Sequence, residues 1–140
     1  MADPLSIAAG VVGLLATAGK VCILLSGFIS SVAEAPQLAS AALLKVNELS
    51  FTLDMVGTLM QRLDGVPAAR RDMIRLDHLV LVFTQCVLTL SEVECLLQRV
   101  TGSSLNRLRW NLAEKKIQRS IDMLEKHQAS MVLMLNVLQW

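Results

Sequence analysis

Apolar residues recur along this chain at helical rather than strand spacing. Between Pro4 and Ala33, bulky Leu5, Ile7, Val11, Val12, Leu14, Leu15, Val21, Ile23, Leu24, Leu25, Phe28 and Ile29 are interspersed with alanines and glycines, and Lys20 is the only charge. The small residues are Ala8, Ala9, Gly10, Gly13, Ala16, Ala18, Gly19 and Gly27. A helix apolar on nearly every side is wrapped by other helices or enters lipid. Asp3 before Pro4 marks its start, because Asp caps free N–H groups and proline at the first helical position loses no hydrogen bond. The spacing predicts a first helix from Pro4 to about Val32. Glu34-Ala35-Pro36 breaks it, since the residue before a proline avoids helical geometry.

Three more helices follow from rows with alternating three- and four-residue steps. Ala42, Val46, Leu49, Leu53, Val56, Met60 and Leu63 make one face of a helix from Pro36 to about Leu63, with Lys45, Glu48, Asp54 and Arg62 off the row. Asp64-Gly65-Val66-Pro67 reads as a turn, and Ala68 to Arg75 as a short extra helix. Leu76, Leu79, Phe83, Cys86, Leu90, Val93, Leu97 and Val100 define a third long helix. Thr101-Gly102-Ser103-Ser104 stops it and offers caps for the next. From Leu105 to the chain end, Ile117, Ile121, Leu124, Met131, Leu135 and Leu138 form a row interrupted by Gln128. No stretch alternates as a strand does. The expectation is a single all-α domain over residues 1–140: an up-and-down four-helix bundle with a short extra helix and a largely buried hydrophobic N-terminal helix.

Composition sharpens this. Apolar residues are 54% of the chain and aromatics 4%, so the core is built from Leu, Val, Ala and Met. Thirteen basic residues against twelve acidic ones give no global field, which argues against nucleic acid as a partner. Cys22, Cys86 and Cys95 lie among apolar neighbours and read as buried, reduced thiols. A secretory signal is disfavoured because the start carries Asp3 and no Lys or Arg. The nearly all-apolar Met131–Trp140 has no terminator, so the native protein is expected to continue past Trp140.

Little catalytic chemistry is legible. His78 and His127 have no Cys or carboxylate partners at metal-ligand spacing and read as surface or boundary residues. Gly13 to Lys20 fails as a phosphate loop: five residues separate the glycines, Val21 follows the lysine, and no strand precedes. No G-x-S-x-G occurs. The expectation is a protein that is not an enzyme, with no metal and no cofactor. A basic cluster, Arg107, Arg109, Lys115, Lys116 and Arg119 beside Trp110, together with Lys20, is a candidate contact for anionic lipid.

The opening Met1-Ala2-Asp3-Pro4-Leu5-Ser6-Ile7-Ala8-Ala9, with Gly13-Leu14-Leu15 and Gly19-Lys20-Val21, resembles the start of fungal HeLo-like domains. These also form N-terminal domains of fungal STAND (NLR-type) proteins. Further likenesses are Ile29-Ser30-Ser31-Val32, Ala35-Pro36, Leu76-Asp77, Cys86-Val87-Leu88-Thr89, Arg107-Leu108-Arg109-Trp110 and Met134-Leu135-Asn136-Val137-Leu138-Gln139, so the resemblance spans essentially the whole chain. Arg75 departs from the pattern, where a proline is expected.

The resemblance implies a helical bundle similar to the executioner bundle of the mixed-lineage-kinase-like pseudokinase of necroptosis. It implies a cell-death role in fungal non-self recognition, including heterokaryon incompatibility. Clustering by an amyloid-forming tail or an NLR-type partner, through regions outside this chain, would free the N-terminal helix of a cytoplasmic protein to permeabilise the plasma membrane. Leu5, Ile7, Val11, Val12, Leu14 and Leu15 are the expected inserting residues, and Ala9 with Gly13 the small-xxx-small pair for packing in lipid. Insertion of those six contributes roughly −2 to −4 kcal/mol, and Lys20 at the bilayer centre costs about 2.5–3.5 kcal/mol. Self-association therefore has to supply the bias. The alternative is a non-lytic adaptor domain that assembles STAND receptors.

Overall fold

The computed structural model describes residues 4–31, 36–62, 76–101 and 106–139. They form four helices: α1 (Pro4–Ser31), α2 (Gln37–Gln61), α3 (Leu76–Thr101) and α4 (Asn106–Gln139), and no strand occurs among them. The protein is an all-α four-helix bundle with an apolar N-terminal helix. Asp3, the Asp64–Pro67 turn, the short helix expected over Ala68–Arg75 and the caps at Gly102–Ser104 lie outside the described residues. Pro36 stands just before α2 with φ −58° and ψ 143°, and its carbonyl accepts from Ala39 N–H at 3.0 Å. Its extended backbone and fixed φ explain why the helix starts one residue later than the proline.

The predicted rows become the core. On α2 the row from Ala42 to Met60 is buried, as is the α3 row from Leu79 to Val100. On α4 Ile117, Ile121, Leu124, Met131 and Leu135 are buried. The interruption at Gln128 is answered from α2, where Thr52 Oγ1 accepts from its side-chain amide at 3.3 Å. Thr52 in turn donates to the Glu48 carbonyl, so this partly buried polar pair has partners. Beside it Lys45 reaches Glu125 at 2.8 Å and Glu48 at 3.7 Å, and both neighbouring carboxylates raise its pKa.

Chain direction alternates from helix to helix. Val11 of α1 faces Gly57 of α2, and Cys22 donates to Asn47 at 3.4 Å, which sets those helices antiparallel. Arg109 donates to the Arg99 carbonyl at 3.1 Å where α3 turns into α4. Spatial order departs from chain order. α1 packs along α2 and α3, and α4 along α3 and α2, so the consecutive helices α2 and α3 take opposite corners. Phe28 and Trp110 stack across the other diagonal with ring centroids 4.8 Å apart.

α1 buries a heptad-like row, Ile7, Val11, Leu14, Ala18, Val21, Leu25 and Phe28. Its other side is open: Ala9, Gly13, Ala16, Lys20 and Gly27 are exposed, Val12 is 68% exposed and Ile23 73%. The wrapping expected from composition is thus one-sided, because a corner helix in a four-helix bundle has neighbours on only part of its circumference.

The thiols are free but not uniformly buried. Cys86 is buried, Cys22 half-buried and Cys95 exposed, which corrects the expectation of three buried cysteines. Burial raises the pKa of Cys22 and pushes Cys86 up to about 12, so neither is a ready thiolate.

The α1–α2 contact is tightest at Gly57, where an added Cβ would lie 3.2 Å from Val11 Cγ1. Replacing Gly57 with Leu should cost about 1–3 kcal/mol through overpacking. Gly13→Ala has nothing within 4 Å. It should stabilise by up to ~1 kcal/mol through helix propensity. Urea denaturation of the two variants measures both signs.

Candidate functional site

Three surfaces emerge, two apolar and one cationic. The first apolar one is the outer side of α1. Its most hydrophobic window, within Ser6–Ser30, has a mean hydropathy of 2.0, and 28% of that window is buried. The six residues expected to insert do not share it. Ile7, Val11 and Leu14 are in the core, Leu15 is half-buried and Val12 alone is well exposed, while the Leu5 side chain lies outside the description. A 3.6-residue period distributes six closely spaced positions around the helix, so no single face could collect them all. Ala9 and Gly13 do lie together on the outside.

α3 supplies a second apolar surface that sequence reasoning passed over. Its most apolar window, within Asp77–Val100, has a mean hydropathy of 1.7 with 39% of it buried. Val80, Leu81, Val87 and Leu88 are exposed on it. The signal was present as the uncharged run from Leu79 to Ser91. A Cβ added at Gly10 would lie 3.6 Å from Phe83, so α3 packs on α1 through its buried Phe83 edge. Both helices are long and apolar enough to cross a bilayer by length and composition, a test that core helices of soluble proteins also pass.

The cationic surface lies where α3 ends and α4 begins. Arg99, Arg109 and Lys116 line an open cavity of about 310 Å³ whose apolar wall is Leu96, Val100, Leu112 and Ala113. The predicted cluster is therefore divided. Arg109 and Lys116 enter this groove, Lys115 and Arg119 are exposed elsewhere on α4, and Lys20 is exposed on α1. The side chain of Arg107 lies outside the described residues. Arg99 was missed because it comes from another helix, and only the tertiary fold places it beside Arg109. Trp110 is 0% exposed and stacked on Phe28, so the residue that the basic cluster flanks in sequence belongs to the core. Its indole Nε1 is buried without a partner.

No group of three His, Cys, Asp or Glu residues suited to a metal occurs among the described residues. His78 is exposed as expected, but His127 is buried at 6% exposure and its Nε2 has no hydrogen-bond partner. Comparison with protein-family models, characterised proteins and solved structures finds no match to this chain.

Burial lowers the His127 pKa below its usual 6.5. The unfolded chain therefore takes up the proton first, and stability that is fully present above pH 6.5 should fall as pH drops toward the folded-state pKa. His127→Leu should remove this loss between pH 7 and 5, read as the pH dependence of the urea midpoint. An unchanged pH slope in that variant would assign the acid sensitivity elsewhere.

Proposed function

We propose that this domain perturbs membranes in a cell-death response, with α1 as the acting element and the rest of the bundle as its holder. The observation that carries the reading is an apolar helix of membrane-spanning length whose outer side is left uncovered. The resemblance to fungal HeLo-like domains supplies the biological setting, in which a cytoplasmic protein moves to the plasma membrane after self-association. Charge on this α1 face is confined to Lys20, so it can meet the hydrocarbon boundary before any core contact breaks.

Full release of α1 is a larger step. Ile7, Val11, Leu14, Val21, Leu25 and Phe28 are each at most 3% exposed. At ~1.5–3 kcal/mol per side chain, their burial holds α1 with roughly 9–18 kcal/mol, an upper bound. Insertion into lipid shelters the same side chains from water again, so this figure measures what exposing α1 to water would cost and is not set against the insertion energy. Several clustered copies gain from multivalency and from helix–helix contact in lipid through Ala9 and Gly13.

The exposed small residues Ala9, Gly13 and Ala16 also favour a second reading, an adaptor that assembles through α1 without lipid. Its mark is oligomers in solution that ignore anionic vesicles.

Deleting residues 1–20 would remove core as well as surface, so point substitutions make the better test. Val12→Glu with Ile23→Glu, and separately Gly13→Leu, alter only exposed positions. Both variants should keep a cooperative melt yet lose at least tenfold in leakage rate from anionic vesicles. Unchanged leakage from folded variants would remove the outer face of α1 from the mechanism.

A further inference from the structure

We propose that the groove between the end of α3 and the start of α4 is a discrete site for the phosphomonoester headgroup of a phosphatidic-acid-type lipid. The site gives the membrane role proposed above a particular lipid partner, and so rests on that reading for its biological context. Three observations point to this chemistry. Arg99, Arg109 and Lys116 converge on one cavity, and among the described residues none that lines it is acidic. Among the described residues none of the three cations is in an ion pair. The remaining wall is apolar, with buried Leu96 and Val100, half-buried Ala113 and a Leu112 that is 78% exposed.

Another groove among the described residues shows the contrast. It lies between α2 and α4, and its one cation, Lys45, is already met by Glu125 at 2.8 Å. Charge is satisfied there and unsatisfied in the α3–α4 groove. Two guanidinium forks suit bidentate contact with phosphate oxygens, and Lys116 adds a point charge. A dianionic terminal phosphate matches three cations better than the single negative charge of a phosphodiester. The apolar wall distinguishes a lipid from a free phosphate, because it leaves the glycerol and first acyl carbons a surface to cover. Leu112, an exposed leucine at the rim, is the natural contact for that segment. The volume of about 310 Å³ is at the small end of ligand pockets and fits a headgroup rather than a whole lipid. Arg109 is also held in place, since it donates to the Arg99 carbonyl and ties the two helices that form the walls.

The test titrates dioctanoyl phosphatidic acid, below its micelle concentration, into the protein by calorimetry. Saturable one-to-one binding is expected. Dioctanoyl phosphatidylglycerol and glycerol 3-phosphate should each bind at least tenfold more weakly, the first for its phosphodiester and the second for its missing tails. Arg99→Lys keeps the charge but loses the fork, and should weaken binding about tenfold. Lys116→Gln should weaken it similarly, whereas Lys115→Gln, outside the groove, should leave it unchanged. Each variant is first checked for an unaltered melt.

Absence of saturable binding to the wild-type protein overturns the site. So do equal affinities for the two lipids, or equal losses from Lys115→Gln and Lys116→Gln, either of which reduces the contact to general surface charge. Leakage from phosphatidylserine vesicles free of phosphatidic acid separates the two proposals. Leakage that persists there without phosphatidic acid binding leaves the membrane role standing and removes the groove. Binding intact with no leakage from any vesicle does the reverse.

Discussion

One seam holds this protein together: the buried row of α1, from Ile7 to Phe28, wedged between α2 and α3. Near its start, Gly57 lets α2 approach so closely that Val11 fills the space a side chain would take. At its end, Phe28 reaches across the bundle to stack on Trp110 of α4. Three of the four helices are thus referenced directly to α1. Because close-packed cores tolerate little change in volume, the two ends of the seam cannot shift independently.

That seam explains why the outer side of α1 is free to be something else. A bundle helix needs about one apolar row to be held, and α1 has one row of heptad spacing. Its remaining positions are relieved of any packing duty, and an ordinary soluble protein would fill them with charged residues. Here they include Ala9, Val12, Gly13, Ala16, Gly19, Ile23 and Gly27 beside a few serines, with Lys20 as the single charge. Open space around Gly13, Gly19 and Gly27 means that intramolecular contact is not the reason for glycine there. Glycine in a solvent-facing helix costs up to ~1 kcal/mol relative to alanine. Three such positions on one helix represent stability given up within the bundle.

Much of the fold could be read from residue spacing, because rows such as Leu49, Leu53, Val56 and Leu90, Val93, Leu97 are long and regular. The surfaces could not. Periodicity says that a helix has a buried row, but not which of two apolar sides will be covered. Hence α1 looked wrapped all round and α3 looked ordinary. The burial of Trp110 and His127 was hidden for a related reason. Each sits among charged or polar sequence neighbours, yet its partners or covering come from other helices. Arg99 and Arg109 show the same limit from the other direction. Ten residues apart in sequence, they become neighbours only through the reversal of the chain between α3 and α4.

The spatial order of the helices then bears on how the two surfaces would act together. Had α3 followed α2 around the bundle, α1 would have been bordered by α2 and α4, and the apolar surfaces of α1 and α3 would have been separated. Placing α2 and α3 at opposite corners makes α3 the neighbour of both α1 and α4. α3 therefore lies beside α1 and carries exposed Val80 and Val87, while its last turns supply Leu96, Arg99 and Val100 to the cationic groove. In the proposed function this joins hydrocarbon contact and headgroup contact through a single rigid helix. A headgroup held at Arg99 would orient the bundle with α3 toward the bilayer. The outer side of α1 would then lie against lipid before the α1 seam begins to open.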